Sequence, residues 1–279
     1  MDPSSALIVF REVLEAALVV GIVMAGSKGV PGRGLWVGSG VLAGALGACV
    51  VAAFASVIQN AAAGVGQELL NASILFAAVV MLGWHCVWMG RHGRDIARHM
   101  VEVSRAVVQG SRPLYALAIV VGLAIAREGS EAVLFLYGIA AGSDSGAAAM
   151  LAGGLLGFVG GAAVGVAIYF GLMRIPTRYL FAVTTWMIIL LAAGMASQGA
   201  GFLVQADLLP ALGRRLWDTS GILSDRSIFG KVMHTLVGYD AKPSGIQLIF
   251  YATALSIIGS LTWILGRPNS PAAPAARAA

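Results

Sequence analysis

Six charged side chains stand where a hydrocarbon-spanning helix calls for apolar ones. "REVLEAAL" (Arg11–Leu18) interrupts an apolar run from Ser5 to Gly26, and "REGSEAVL" (Arg127–Leu134) interrupts another. Glu12 and Glu15 are spaced i, i+3, as are Glu128 and Glu131, so on a helix each pair projects from one face. Arg11 stands i, i+4 from Glu15, and Arg127 from Glu131, which permits an ion pair within each helix. Four carboxylates against two guanidiniums leave a formal charge of −2, suited to a cation. Carboxylate oxygens are hard donors and favour Mg²⁺, Ca²⁺ or Mn²⁺, and Fe³⁺ by the same logic. Each charge inside hydrocarbon costs at least ~2.5–3.5 kcal/mol on the insertion scale, so six cost on the order of 15–20 kcal/mol unless they pair or line a wet cavity. Three readings follow. The carboxylates form a cation path in which each Arg neutralises Glu on its own helix until a multivalent ion takes over; or the ion pairs only hold helices together; or the glutamates relay protons.

The rest of the chain says what must position these groups. Of 279 residues, 58% are hydrophobic and only 11% charged, whereas soluble domains carry about a quarter charged. A spanning helix needs roughly 20 mostly apolar residues, and seven such segments are expected, at about 5–26, 34–58, 68–90, 114–140, 147–171, 178–203 and 245–266. The fold class is therefore an all-α membrane protein. Its basic residues sit between the apolar runs, which argues against nucleic acid as a partner and for the positive-inside rule. Lys28, Arg33, Arg91 to Arg112, Arg174, Arg178 and the C-terminal arginines fall on one side, while the loops 59–67 and 141–146 carry no Lys or Arg. The expected topology puts the N-terminus outside and the C-terminus inside. "MDPSS" lacks a basic n-region, so the first helix is expected to remain in the mature protein. Cys49 and Cys86 form no C-x-x-C and read as buried small hydrophobes.

An internal repeat organises the spans. A shift of 116 residues lays Arg11, Glu12, Glu15 and Leu18 on Arg127, Glu128, Glu131 and Leu134, and "GVLAGALGACV" (40–50) resembles "GLLGFVGGAAV" (154–164) at a shift of 114. The two motif copies lie three spans apart, an odd number, so the motif helices cross in opposite directions. The expected architecture is a three-plus-three inverted repeat with a C-terminal helix appended, a recurring design of secondary transporters. One permease domain covers 1–266: repeat one about 5–112, repeat two about 113–203, an outer loop 204–244 and the seventh helix 245–266, followed by a disordered cytoplasmic tail, 267–279.

Other polar residues are weaker candidates. Glu68 and Asn71 open the third helix, where they serve either as an outer cation contact or as an ordinary helix start. Met81, His85, Met195 and Gln198 are softer donors within spans, each equally readable as packing. Trp84 and Trp88 read as an interfacial aromatic belt. His85, His92 and His99, and Arg91, Arg98 and Arg105, recur every seven residues, so the third helix is expected to continue as a basic helix along the cytoplasmic headgroups. In the outer loop, Asp218-Thr-Ser and Ser224-Asp-Arg-Ser offer caps around short amphipathic segments. There Asp207, Asp218, Asp225, His234 and Asp240 are either receivers of a cation or surface residues of a folded cap.

The two Arg-Glu-x-x-Glu motifs on the first and fourth of seven helices resemble those of the oxidase-dependent high-affinity iron permease family, which includes fungal plasma-membrane permeases and bacterial inner-membrane relatives. "GQELLNASILFAAVVMLGWHCVWM" (66–89) is similar to that family's third helix, and "WDTSGILSDRSIFGKVMHTLVGYDAKPS" (217–244) to its last outer loop. The resemblance implies an iron permease, not an enzyme, of the bacterial cytoplasmic (inner) membrane. It implies iron, Fe³⁺ or Fe²⁺, as transported substrate with no permanent cofactor, and periplasmic iron-binding or iron-oxidising partners beside membrane lipid. Its metal residues are Glu12, Glu15, Glu128 and Glu131, with Arg11 and Arg127 as motif partners. Glu68, His85, Asp218 and Asp225, read from the residues and not from the resemblance, are candidate secondary metal contacts. The chain departs from the family pattern at Val13, Ser130, Asn71 and His85. Alternatives are a transporter of another multivalent cation such as Mn²⁺ or Pb²⁺, a membrane-embedded metal-binding enzyme, and a structural subunit.

Overall fold

The computed structural model describes residues 1–62, 66–142, 146–171, 177–213, 215–224 and 227–265. Among them are eight helices and no strand: α1 (Pro3–Gly26), α2 (Arg33–Ala62), α3 (Gln67–Val108), α4 (Tyr115–Gly142), α5 (Ala147–Tyr169), α6 (Thr177–Gln205), α7 (Ile228–Val237) and α8 (Gly245–Leu265). Each expected apolar segment falls on a helix, and α7 lies in the long loop before α8. Five helices (α2, α3, α5, α6 and α8) are long and apolar enough to cross a membrane. The motif helices α1 and α4, of 24 and 28 residues, are long enough too, and each carries its three charges mid-way.

Small residues set the packing. α1 packs chiefly on α5, and α2 on α4. A Cβ on Gly44 would lie 2.6 Å from the Gly122 carbonyl oxygen, and one on Gly161 would lie 2.6 Å from that of Phe10. Both helix pairs therefore depend on glycine for their close approach. Contacts advance together along both pairs: Gly40 meets Ala118 and Gly44 meets Gly122, while Gly153 meets Asp2 and Gly157 meets Ala6. Each pair thus runs parallel. The two pairings are related by exchange of the halves, but the α2-to-α5 correspondence is Gly40 with Gly153 and Gly44 with Gly157. That is a shift of 113 rather than the 114 read from sequence. Runs of small residues match almost equally well at either register, and only one puts the glycine face against the facing helix.

Two apolar clusters divide the bundle along its length. One joins Ile8 of α1, Leu75 to Cys86 of α3, Phe135 and Ile139 of α4, Ile188 to Met195 of α6 and Ile258 of α8. The other joins Val23 of α1, Val37 of α2, Met100 and Val107 of α3, and Leu117 and Val121 of α4. The motif charges lie between them on both α1 and α4. The first cluster is nearer α7, which packs on α6 and α1; that end is called here the cap end, and the other the basic end.

Two expectations change. α3 does continue as one helix of 42 residues, about 63 Å at 1.5 Å per residue. Its Met100, Val103, Ser104 and Val107 are buried, so that face packs on α1, α2 and α4 instead of lying on headgroups. Cys86 is a buried small hydrophobe but Cys49 is exposed, and both are free. The tail expected at 267–279 lies outside the described residues.

Candidate functional site: a buried layer of carboxylates

α1 is started by Asp2, whose side chain accepts from the Ser5 N–H at 3.1 Å, with Pro3 in the first turn. The Asp2 N–H donates to the Ala149 carbonyl at 2.9 Å, tying the start of α1 to that of α5 and fixing the depth of the motif. Eight residues on, Arg11 is only 1% exposed, with Glu12 at 2% and Glu15 at 4%. Arg11 Nη1 donates to Glu12 Oε1 at 3.0 Å, and Nη2 forms an ion pair with Glu15 Oε1 at 2.8 Å. Both glutamates therefore share one guanidinium.

The second motif is arranged differently. Arg127 Nε donates to Glu131 Oε1 at 2.9 Å. Its guanidinium carbon lies 3.9 Å from the centre of the Trp88 ring, with Nη2 3.6 Å from Met89 Sδ. Glu128, buried, has no ion pair among the described residues, and its Oε2 has no hydrogen-bond partner; Glu12 Oε2 is likewise buried and unpartnered. An uncompensated carboxylate in a dry interior is costly. Glu15 Oε1 and Oε2 and Glu131 Oε2 likewise lack a hydrogen-bond partner, and five such oxygens in one layer would favour a cation there.

His85 joins the two motifs. Its Nε2 contacts Arg11 Nη1 and its Nδ1 contacts Glu131 Oε2, and Nε2 is 3.9 Å from Glu15 Oε1. A guanidinium only donates and a carboxylate only accepts. Together they select the neutral imidazole with its proton on Nδ1. One ligand atom each from Glu12, His85 and Glu131 falls within 4.8 Å of the others, and the same holds for Glu12, Glu15 and Glu128. Glu12 belongs to both triads.

Glu12 and Glu128 also reach a cavity of about 740 Å³ between the α1–α5 and α2–α4 pairs. Its other lining is apolar, and it runs along α1 from Val9 to Met24 and along α5 from Phe158 to Phe170, toward the basic end. At the cap end, Ile8, Phe135, Ile139 and Met195 pack above the charges.

The structure thus brings together all four motif glutamates, both arginines and His85, and leaves the other candidates apart. Glu68 is exposed in the first turn of α3, where it complements the helix dipole. Asp218 is exposed in the cap, 3.0 Å from Lys242 Nζ. The Ser220 hydroxyl and Lys242 hold its carboxyl down, to about 2. It accepts from the Ser220 N–H at 3.1 Å in a turn, where the sequence suggested a helix start. Asp225 lies outside the described residues; Ser227 caps α7, accepting from the Gly230 N–H at 2.9 Å. Trp88 is half-buried over Arg127 and is not simply a belt residue. Sequence reading missed that role, although His85, Trp88 and Met89 are spaced i, i+3, i+4 and so share the face of α3 turned to α4.

A bundle of long apolar helices around a buried, net-negative layer defines a multi-pass membrane protein of the transport class. Residues 4–266 match the iron permease FTR1 family. The chain belongs to that family, whose members are permeases, not enzymes. It is 32% identical over 242 residues to the ferrous iron permease EfeU of Escherichia coli O6:K15:H31 (strain 536 / UPEC), covering 85% of this chain and 87% of that protein. It is 31% identical over 278 residues to the ferrous iron permease EfeU of Yersinia pestis, covering 98% and 96%. A third relative, 32% identical over 244 residues, is the putative inactive ferrous iron permease EfeU of E. coli strain K12. No solved structure matches the chain.

Proposed function

We propose that the chain imports iron through the layer formed by its two Arg-Glu-x-x-Glu motifs. The observation that carries this reading is the convergence of four glutamates, from helices far apart in sequence, on one buried layer of formal charge −2. The relatives named as ferrous iron permeases favour Fe²⁺, and so does that charge: a divalent ion neutralises the layer while His85 stays uncharged. The imidazole adds a nitrogen donor to the oxygens, which shifts preference from Mg²⁺ and Ca²⁺ toward first-row transition ions. Donors opposite each other across an ion with ~2.1 Å bonds stand about 4.2 Å apart. The two triads, within 4.8 Å, therefore need only small side-chain adjustments. Because Glu12 is common to both, it offers an ion two neighbouring stations linked by one carboxylate.

Seven spans, with the N-terminus outside and the C-terminus inside, fit the helix directions. α1 and α5 run parallel, as do α2 and α4. α3 also runs parallel to α8, with Phe76 near Phe250 and Gly83 near Ile258. These relations support a three-plus-three inverted repeat with α8 appended. Lys28, Arg33, Arg105 and Arg112 gather at the basic end, which the positive-inside rule makes cytoplasmic. The apolar seal at the cap end and the cavity toward the basic end then correspond to an inward-facing carrier. The bacterial relatives favour the inner membrane, with iron delivered by periplasmic binding or oxidising proteins.

The test is radiolabelled Fe²⁺ and Fe³⁺ uptake into proteoliposomes by wild type and Glu12→Gln, each checked for folded yield. The variant is expected to fold and lose saturable uptake. Uptake at the wild-type rate would refute the carboxylate path.

A further inference from the structure

A second, smaller cavity lies on the cap side of the apolar seal. It measures about 30 Å³ and is lined by Ser4, Ile139, Gly142, Met195, Gln198 and His234, among others, room for about one water or one ion. Ile8 and Phe135 lie between it and the carboxylate layer, so it is a separate place.

His234 is held there by the backbone. It occupies the last turn of α7, which ends at Gly238 in the left-handed conformation (φ 71°). Gly238 presses on α6 so closely that a Cβ on Gly194 would lie 2.7 Å from the Gly238 Cα. That contact sets α7 over α6 one turn from Gln198. His234 Nδ1 is 2.6 Å from the Tyr239 carbonyl oxygen, which only accepts, so Nδ1 carries the proton and Nε2 the lone pair. Nε2 lies 3.2 Å from Gln198 Nε2, a donor, so its lone pair points at the polar lining. A ring whose Nδ1–H is fixed by a carbonyl, leaving the Nε2 lone pair to an exchangeable partner (here the Gln198 amide), is the orientation in which proteins present histidine to metals.

We propose that His234, Gln198 and Met195 form a transient docking site for a divalent transition cation at the outer mouth, ahead of the carboxylate layer. The donors are an imidazole nitrogen, an amide oxygen brought in by rotation of the Gln198 side chain, and a thioether sulfur. This borderline-to-soft set suits Fe²⁺ or Co²⁺ and discriminates against Ca²⁺, Mg²⁺ and trivalent iron. Having no carboxylate, it binds weakly enough to release its ion inward. The order of the two sites rests on the transport reading; binding at His234 does not.

Co²⁺ is the probe. Bound Co²⁺ per chain is measured by equilibrium dialysis of purified wild type, Glu12→Gln, His234→Ala and His234→Gln, with folding followed by gel filtration. Fe²⁺ uptake kinetics are measured on the same proteins. Both His234 variants are expected to lose one Co²⁺ per chain that Glu12→Gln retains. They should also raise KM for Fe²⁺ about tenfold or more with kcat unchanged. His234→Gln still hydrogen-bonds to the Tyr239 carbonyl, so it restores a mere latch but not a metal site. Wild-type Co²⁺ binding and KM in His234→Gln would overturn the proposal. If His234-dependent Co²⁺ binding persists while wild type moves no iron, the transport reading fails and this site stands.

Discussion

Glu128→Gln should act in opposite directions on the empty protein and on transport. Glu128 is buried, has no ion pair among the described residues, and keeps one oxygen unpartnered. Neutralising it removes a charge that costs ~2.5–3.5 kcal/mol on the insertion scale, while Gln keeps the shape. The empty protein is expected to gain on the order of 1–3 kcal/mol, a rise of a few degrees in Tm at roughly 2–4 °C per kcal/mol. The loaded site loses. A unit charge about 4 Å from a divalent ion interacts by roughly 8 kcal/mol at an effective dielectric of 20. If only a quarter survives desolvation, about 2 kcal/mol, the affinity falls roughly 30-fold. The assays are thermal unfolding in detergent without metal and concentration-dependent Fe²⁺ uptake in proteoliposomes. Glu15→Gln is the contrast, since it strips Arg11 of an ion pair at 2.8 Å and should lower Tm. A Glu128→Gln protein that is less stable than wild type yet transports normally would show that the carboxylate supports the fold and not the ion.

Three further outcomes follow from other parts of the bundle. His85→Ala removes the nitrogen donor that touches both motifs, so Mg²⁺ and Ca²⁺ should compete with Fe²⁺ uptake several-fold better than in wild type; an unchanged competition profile would exclude His85 from the ion's shell. Gly44→Leu sets a Cβ 2.6 Å from the Gly122 carbonyl and 2.9 Å from the Ala126 nitrogen, where backbone cannot yield. It should cost about 1–3 kcal/mol or more and reduce folded yield, whereas Gly38→Ala on the same helix meets nothing within 4 Å and should be neutral or stabilising. Asp218 titrates near 2 in the folded cap, below the ~3.9 of an unfolded Asp. Its contribution is therefore complete above about pH 4 and is lost as pH falls toward 2; Lys242→Ala should accordingly speed amide exchange in residues 215–223 more at pH 6 than at pH 2.

The helices and the motif were legible in the sequence because both are local. Apolar length marked the long helices within a few residues except at the end of α3, which runs past its apolar stretch to Val108, and the spacing of Arg11 to Glu15 and of Arg127 to Glu131 anticipated the ion pairs at 2.8 and 2.9 Å. The repeat was legible from its rare charges, but the pairing of α1 with α5 and of α2 with α4 across the halves was not. Its register in α2 and α5 was misjudged by one residue, because alanine and glycine runs carry little information until a facing backbone selects among them. Cys49 was taken as buried because an apolar helix has no aqueous face: in a membrane the exposed side of α2 is as apolar as the packed one.

What sequence alone determined, then, is the set of groups: four carboxylates and two guanidiniums, spaced along two helices too apolar to hold them in isolation. Which of them are paired was decided only by tertiary structure. The motifs are alike in sequence, yet Arg11 meets both of its glutamates and His85, while Arg127 turns to Trp88, Met89 and Glu131 and leaves Glu128 unpaired. The reason is that α3 packs on α4 with His85, Trp88 and Met89 on one face, and a single helix cannot offer the same face to both halves. Ion pairs between i and i+4 follow from helical geometry. That Glu128 has no ion pair among the described residues follows from what α3 brings to Arg127 and Glu131, which no spacing within α4 encodes.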